Sequence, residues 1–358
     1  MKIITFYLPQ YHEIPENNEA WGEGFTEWVN VKNSKPLFKG HKQPRIPLND
    51  NYYNLLDEEV MIDQMKLASQ YGIDGFCFYH YWFKGKKVLE RPVEAMLQNT
   101  QATLPFCFAW ANEAWTKTWH GAKGEKEVLL RQTYGTYKDW VEHYEYLRQF
   151  FMDSRYILRD NKPVLLIYKI NNMRHRSEMF ACFNELARKD GFDGIFLIQM
   201  LSNEQPKSKL KWINGFVDFE PAHVRNQMKQ NRDWKYEFKM KIQKKHPNWS
   251  WWNRWICDIL DYRAVNQVLL DTPHEKNHFR GMFVDYDDSP RRGKTALIFK
   301  YSSPDRFGYY LREHIKRAKQ EQNDMLFINA WNEWGEGNYL EPDTQNGFRY
   351  LEEVRNAR

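Results

Sequence analysis

Eight short apolar runs of five to seven residues recur along the 358-residue chain, each ending in polar or aromatic residues. They are Lys2–Leu8, Ile73–Tyr79, Pro105–Trp110, Pro163–Tyr168, Gly194–Met200, Gly215–Phe219, Gly281–Asp285 and Met325–Ala330. Most stretches between them carry helical periodicity. Leu56, Val60, Met61, Met65, Leu67 and Tyr71 share one face ahead of Gly72; Val93, Met96 and Leu97 form a second. Trp140, Tyr144, Leu147, Phe150 and Phe151 form a third, and Tyr309, Leu311, Ile315 and Ala318 a late one. Strands alternating with helices pair in parallel. Eight in one series predict an α/β fold, a single (β/α)8 barrel over residues 1–358, whose usual core of about 250 residues leaves room for insertions. A doubly wound sheet would more often carry a Gly-rich phosphate turn after the first strand, where Leu8-Pro9-Gln10-Tyr11-His12 stands instead. Two stretches without the alternation, 9–53 and 221–278, are read as loop insertions after strands one and six.

No apolar run approaches the roughly 18 residues of a membrane helix, and the start MKIITFYLPQYH lacks a secretory cleavage pattern. A cytoplasmic protein is expected. Cys77, Cys107, Cys182 and Cys257 are too scattered for a disulfide framework or a CxxC metal site.

Reactive groups of such a barrel project from the C-terminal strand ends. Those ends hold Gln10, Tyr11 and His12 after strand one; Tyr79, His80, Tyr81 and Trp82 after strand two; and Trp110, Asn112, Glu113 and Trp115 after strand three. Glu220 and His223 follow strand six, Asp285, Asp287 and Asp288 strand seven, and Trp331-Asn332-Glu333-Trp334-Gly335-Glu336-Gly337 strand eight. Aromatic faces suit the CH-rich faces of sugars, while carboxylates and amides suit their hydroxyls. A single aromatic is more often plain core, so the weight rests on the combination. Glycosidic chemistry needs two carboxyl groups with different tasks, and Glu333 and Glu336 are the candidate pair. Two acids at this spacing on a helix surface are ordinarily solvated; here they lie between Trp334 and glycines, beyond an apolar strand. Glu113 with Glu333, each preceded by Asn, is the alternative pair.

Several segments together resemble the glycoside hydrolase family 99-like domain, in its bacterial WbsX-type branch. They are FYLPQYH (6–12), WGEGFTEW (21–28), KPLFKGHKQPRIP (35–47), YGIDGFCFYHYWF (71–83), LERPVEAML (89–97), PFCFAWANEAWTKTW (105–119), VDYDDSPRRG (284–293) and INAWNEWGEGNYLEPD (328–343). That branch is described as glycosyltransferases or polysaccharide biosynthesis proteins, whereas hydrolytic members of the wider family are retaining, metal-free endo-α-mannosidases. The resemblance implies a (β/α)8 barrel and a catalytic E-W-x-E-G motif, matched by Glu333 to Gly337. By carry-over, Glu333 deprotonates the substrate's own 2-hydroxyl to form a 1,2-anhydro sugar. Glu336 protonates the leaving oxygen and then activates the incoming water or acceptor. Gly335 stands where the mannosidases commonly carry His. Tyr7, Glu27 and Trp28, in two of these segments, complete the candidate sugar contacts with Gln10, Tyr11, His12, His80, Trp82, Trp110, Asn112, Glu113, Trp115, Glu220, Asp285, Trp331, Asn332 and Trp334.

No metal or other cofactor is expected: HxH and HExxH are absent, and Asp285, Asp287 and Asp288 lack the rest of a calcium loop. Asp287 to Arg292 reads as a loop cap, with Arg291 or Arg292 available to an anionic sugar or phosphate. Arg225–Arg254 holds nine Lys or Arg against Asp233 and Glu237, interleaved with Trp and Tyr. It is read either as a solvated insertion or as a contact, over 225–255, with an anionic inner-membrane surface; nucleic acid is not expected. The expected substrate is an oligo- or polysaccharide, mannose-like and lipid-linked in the membrane reading, within bacterial surface polysaccharide metabolism. Alternatives are a glycosyltransferase of O-antigen, capsule or exopolysaccharide synthesis, and a non-catalytic glycan-binding protein.

Overall fold

The computed structural model describes residues 1–116, 127–202, 205–225 and 257–358. Eight parallel strands form its centre: β1 (Lys2–Tyr7), β2 (Gly75–Phe83), β3 (Phe106–Trp110), β4 (Lys162–Ile167), β5 (Phe196–Leu201), β6 (Gly215–Asp218), β7 (His278–Phe283) and β8 (Met325–Asn329). Each pairs with the next, and β1 pairs with both β2 (Tyr7↔Phe78) and β8 (Thr5↔Ile328), which closes the cylinder. All eight expected strands are present. Helices, among them α4 (Arg91–Gln98) and α6 (Arg176–Lys189), surround them, consistent with a (β/α)8 barrel.

Boundaries moved where local chemistry continued an element. β2 runs on to Phe83 because it turns back through an antiparallel hairpin with Lys86–Val88. β7 begins at His278 rather than Gly281. The first long helix, α3 (Glu58–Gln70), starts after Leu56 because the Asp57 carboxylate accepts a hydrogen bond from Glu59 N–H and caps it. In the late helix, α9 (Pro304–Gln320), Phe307, Tyr310, Leu311, Ile315 and Ala318 are buried, whereas Tyr309 is exposed.

Both expected insertions contain regular elements. The first supplies α1 (Pro15–Trp21) and α2 (Glu27–Asn33), the latter beginning with buried Glu27 and Trp28. The last part of 221–278 is regular: Asp258–Asp261 forms a separate two-stranded parallel sheet with Leu297–Lys300 and leads into α7 (Tyr262–Asp271), the helix before β7. Asp261 caps that helix.

Much of the aromatic content packs inside or against the barrel. Phe6 meets Phe219 (5.3 Å between ring centroids), Phe327 (5.7 Å) and Tyr79 (5.8 Å), joining strands from several sides of the cylinder. Such pairs contribute about 0.5–1.5 kcal/mol each beyond their burial. They form a rigid floor below the C-terminal strand ends.

Candidate active site

After β8 the chain makes a tight antiparallel hairpin. Asn332–Glu333 pairs with Asn338–Tyr339 around a single 3-10 turn, Trp334–Glu336, with Gly337 in the left-handed conformation (φ 58°). Five hydrogen bonds and a ring contact with Trp28 hold it. Asn332 Oδ1 accepts from Leu8 N–H (2.8 Å), and its Nδ2 donates to the Leu8 carbonyl (3.0 Å). Tyr11 OH donates to the Asn332 carbonyl and accepts from Trp334 N–H. The Trp334 indole N–H donates to Glu341 Oε2 (2.5 Å). Its ring stacks on Tyr339 at 3.7 Å and packs on Trp28 at 5.5 Å. The two acids therefore ride on a loop whose backbone has little freedom.

One guanidinium joins three carboxylates. Arg291 lies on the four-residue helix α8 (Ser289–Arg292). Its Nε donates to Glu27 Oε1 (2.8 Å), Nη1 to Glu336 Oε1 (2.8 Å) and Nη2 to Glu333 Oε2 (3.0 Å). Glu27 is fully buried, Glu333 nearly so, and the Glu336 side chain is 25% exposed, facing the opening. Burial pushes the Glu333 carboxyl up to about 8; Arg291 opposes the rise, and Glu336 and Glu27 add to it. Gly335 makes the cluster possible, since a Cβ there would lie 1.8 Å from Glu27 Oε1 and 2.7 Å from Arg291 Nε.

Glu333 and Glu336 face a cleft of about 910 Å³ at the C-terminal ends of the strands. Tyr79, Tyr81, Tyr168, Phe219 and Tyr286 supply aromatic surface, while Glu113, Lys169, Glu220, Arg225, Arg291 and Arg292 supply charge. Lys169 Nζ is 2.6 Å from Glu113 Oε2. The cleft thus joins aromatic faces, paired charges and two adjacent carboxyl groups, a combination able to hold a polyhydroxylated ligand and move protons at one bond.

Residues 3–354 match the family described as glycosyltransferase WbsX. The chain belongs to that family. It is 33% identical over 359 residues to the uncharacterized protein WxcX of Xanthomonas campestris pv. campestris, covering 99% of this chain and 49% of the relative. The chain spans about half the length of the curated relatives it matches. Among solved structures it resembles the GH99 endo-alpha-mannosidase of Bacteroides thetaiotaomicron in complex with Bis-Tris propane. That likeness has a TM-score of 0.58 at 14% identity and covers 99% of this chain and 95% of that one. A glycoside hydrolase-like protein gives a TM-score of 0.59 at 11% identity, covering 99% and 93%. This WbsX-family chain therefore has a GH99-like, glycan-related fold.

The structure divides the expected sugar contacts of this WbsX chain into two groups. Glu113 and Glu220 line the cleft with Glu333 and Glu336. The others lie outside its lining. On β2, side-chain alternation sends Tyr79 and Tyr81 to the cleft, while His80 and Trp82 stack on His143 of α5 (Tyr137–Phe151). His80 Nε2 is 2.9 Å from His143 Nε2. Trp110 likewise packs on His143, and Tyr7 OH donates to Gln64 of α3. Asn112 braces the Lys169 backbone, accepting from its N–H and donating to its carbonyl. Trp115 stacks on Tyr81, and Trp331 packs on Phe76. Gln10, through its carbonyl, accepts from Glu27 N–H, and His12 is buried nearby in sequence. Tyr11, Trp28, Asn332 and Trp334 support the acidic hairpin, and Glu27 acts through Arg291. Asp285 pairs with Arg45 (2.8 Å), while Asp287 accepts from Gln43 and lies 2.7 Å from His41.

Arg291 and Arg292, either of which was expected as an anion contact, both line the cleft; Arg291 is bonded to three carboxylates, and Arg292 Nε lies 3.0 Å from Asp288 Oδ2. Tyr168, Lys169 and Tyr286 were not singled out as contacts, although they occupy or directly follow strand ends. The basic segment proposed to meet a membrane lies, over 226–256, outside the described residues. Among the described residues no helix is long and apolar enough to cross a membrane. Two groups of metal-capable side chains share Asp218: one with His274 and His278, the other with Glu220 and His223.

Proposed function

We propose that this chain acts at an α-linked, mannose-like glycosidic bond in bacterial surface polysaccharide metabolism, with retention of configuration. The observation that carries this reading is Arg291 holding Glu333 and Glu336 together on the wall of the cleft. In the first step Glu333 takes the proton of the substrate's 2-hydroxyl. The freed O2 attacks C1, and the bond from C1 to the leaving oxygen breaks as that oxygen receives a proton from Glu336. In the second step Glu336 takes a proton from water or an acceptor hydroxyl. The incoming oxygen opens the 1,2-anhydro sugar, and Glu333 returns its proton to O2. Two inversions at C1 give net retention. A carboxyl raised by burial is a stronger base once ionised than an ordinary one, which suits removal of a hydroxyl proton.

The family description favours transfer as a second reading. An acceptor hydroxyl in place of water gives transfer by the same steps. Nucleotide-sugar chemistry through a DxD motif has less support, because Asp285 and Asp287 are engaged by Arg45, His41 and Gln43 and neither lines the cleft. In this proposal the glycan is lipid-linked and reached from the cytoplasmic face of the inner membrane.

Incubation with α-linked oligosaccharides, with and without nucleotide sugars, followed by mass spectrometry, tests the reading. Cleavage or glycan-to-glycan transfer without a nucleotide, abolished separately by Glu333→Gln and Glu336→Gln, is expected. Gain of a hexose only with a nucleotide donor would overturn it. Binding without turnover of any substrate would leave a glycan-binding protein.

A further inference from the structure

A second polar centre lies behind the cleft wall, built around the last residue of β6. Phe219 lines the cleft, whereas Asp218, the residue before it, meets His274 and His278. The backbone there is packed flush on β7: a Cβ on Gly281 would lie 1.7 Å from the Asp218 carbonyl oxygen. Three imidazoles converge on the Asp218 carboxylate. His274 Nε2 is 2.6 Å from Oδ2, His278 Nε2 is 2.8 Å from Oδ1, and His223 Nδ1 is 3.4 Å from Oδ1. The Asp218 and His274 side chains are almost entirely buried, and that of His278 is 14% exposed.

Hydrogen-bond accounting makes this cluster unusual. His274 Nδ1 lies 3.1 Å from the Thr272 carbonyl, an acceptor, which favours the tautomer with the ring proton on Nδ1. In a neutral imidazole Nε2 then directs a lone pair at a carboxylate that also has only lone pairs to offer. A second proton on His274, a proton on Asp218 or a metal ion drawn in by the three groups would each satisfy that contact. A ring N–H bonded to a backbone carbonyl, with the other nitrogen directed at a shared centre, is the usual arrangement of a metal-binding histidine. His278 and His223 can each donate the N–H of a neutral ring to the carboxylate, so only the His274 contact calls for an added proton or an ion. One divalent ion satisfies the same carboxylate with the rings neutral.

We propose that Asp218, His274 and His278 bind one first-row divalent metal ion, with zinc as the preferred occupant. Two imidazoles and one carboxylate are a donor set that zinc accepts, with the fourth position open to water or His223. The ion acts as a clasp. His278 is the first residue of β7 and His274 precedes it by four, so coordination ties the entry of β7 to the end of β6. Glu220, two residues beyond Asp218, lines the cleft, and its Oε1 is 3.3 Å from His223 Nδ1. The clasp therefore steadies one wall of the cleft without contacting the Glu333–Glu336 pair.

The test uses the whole chain, purified without a histidine tag and stripped with a chelator, then titrated with Zn²⁺ against a chromophoric competitor. Uptake of about one equivalent is expected, with Tm rising by roughly 3–5 °C at about a hundredfold excess over Kd. Co²⁺ in place of Zn²⁺ should give visible ligand-field bands that weaken or vanish in His278→Gln and Asp218→Asn. No stoichiometric uptake by the unaltered chain would overturn the proposal, whatever the variants do. So would uptake and Co²⁺ bands unchanged in folded His274→Gln and His278→Gln. None of these readouts depends on glycan turnover.

Discussion

Gly335 and Glu27 occupy mutually exclusive space: a Cβ on the glycine would stand 1.8 Å from the glutamate's Oε1. The absence of a side chain at position 335 lets a carboxylate from the first insertion reach Arg291. Gly335→Ala should therefore lower stability by about 1–3 kcal/mol, as overpacked sites do. Glu27→Ala in the same chain should recover part of that loss. A double-mutant cycle by urea denaturation checks this; simple additivity would mean that the two positions do not compete for space.

Among the described residues Arg291 donates to Glu27, Glu333 and Glu336 together, its planar fork reaching all three. Arg291→Met leaves buried carboxylates uncompensated and should cost about 3–5 kcal/mol of stability. Arg291→Lys keeps the charge but not the geometry, and should retain more stability than activity. Thermal unfolding alongside turnover separates the two effects.

The burial of Glu333, which raises its carboxyl to about 8, fixes the sign of a pH dependence. If Glu333 is the base, it must be ionised, so it gives kcat/KM a limb that rises with pH through about 8, while loss of the Glu336 proton gives a falling limb. Arg291 holds the value down, so Arg291→Lys, which loosens that contact, should move the rising limb to higher pH. A profile with no rising limb in that region would mean that Glu333 is not the base.

Several histidines are buried as neutral rings. Burial lowers His80 and His314 to about 3 and His12 to about 4, and it lowers His143 as well. Their folded values lie below the unfolded value near 6.5. The stability that they contribute is thus complete above that pH and is lost as pH falls toward the folded values. At about pH 5 each fully buried ring should remove about 2 kcal/mol. Urea midpoints measured between about pH 7.5 and 5 should fall steeply, and His314→Phe should flatten the slope.

The eight strands were legible because each is a short apolar run bounded by turn residues and separated from the next by helix-period sequence. The order of the barrel followed from that alternation, and the position of Glu333 and Glu336 at its mouth followed from the order. The face of each strand did not follow. Strands covered by helices on one side and filled by side chains on the other are apolar on both. FCFYHYWF therefore gives no parity signal in the usual polar–apolar sense, and His80 and Trp82 were expected where Tyr79 and Tyr81 stand.

By itself the sequence determined the architecture, through periodicities that act over a few residues, and the place of the acidic hairpin at the end of the last strand. Tertiary structure alone decided what those acids touch. Glu27 and Arg291 are 264 positions apart, and His278 and Asp218 are 60 apart. No local pattern encodes such meetings. They arise because closing the cylinder brings distant strand ends to one rim, where burial and the geometry of one guanidinium or one carboxylate select the partners.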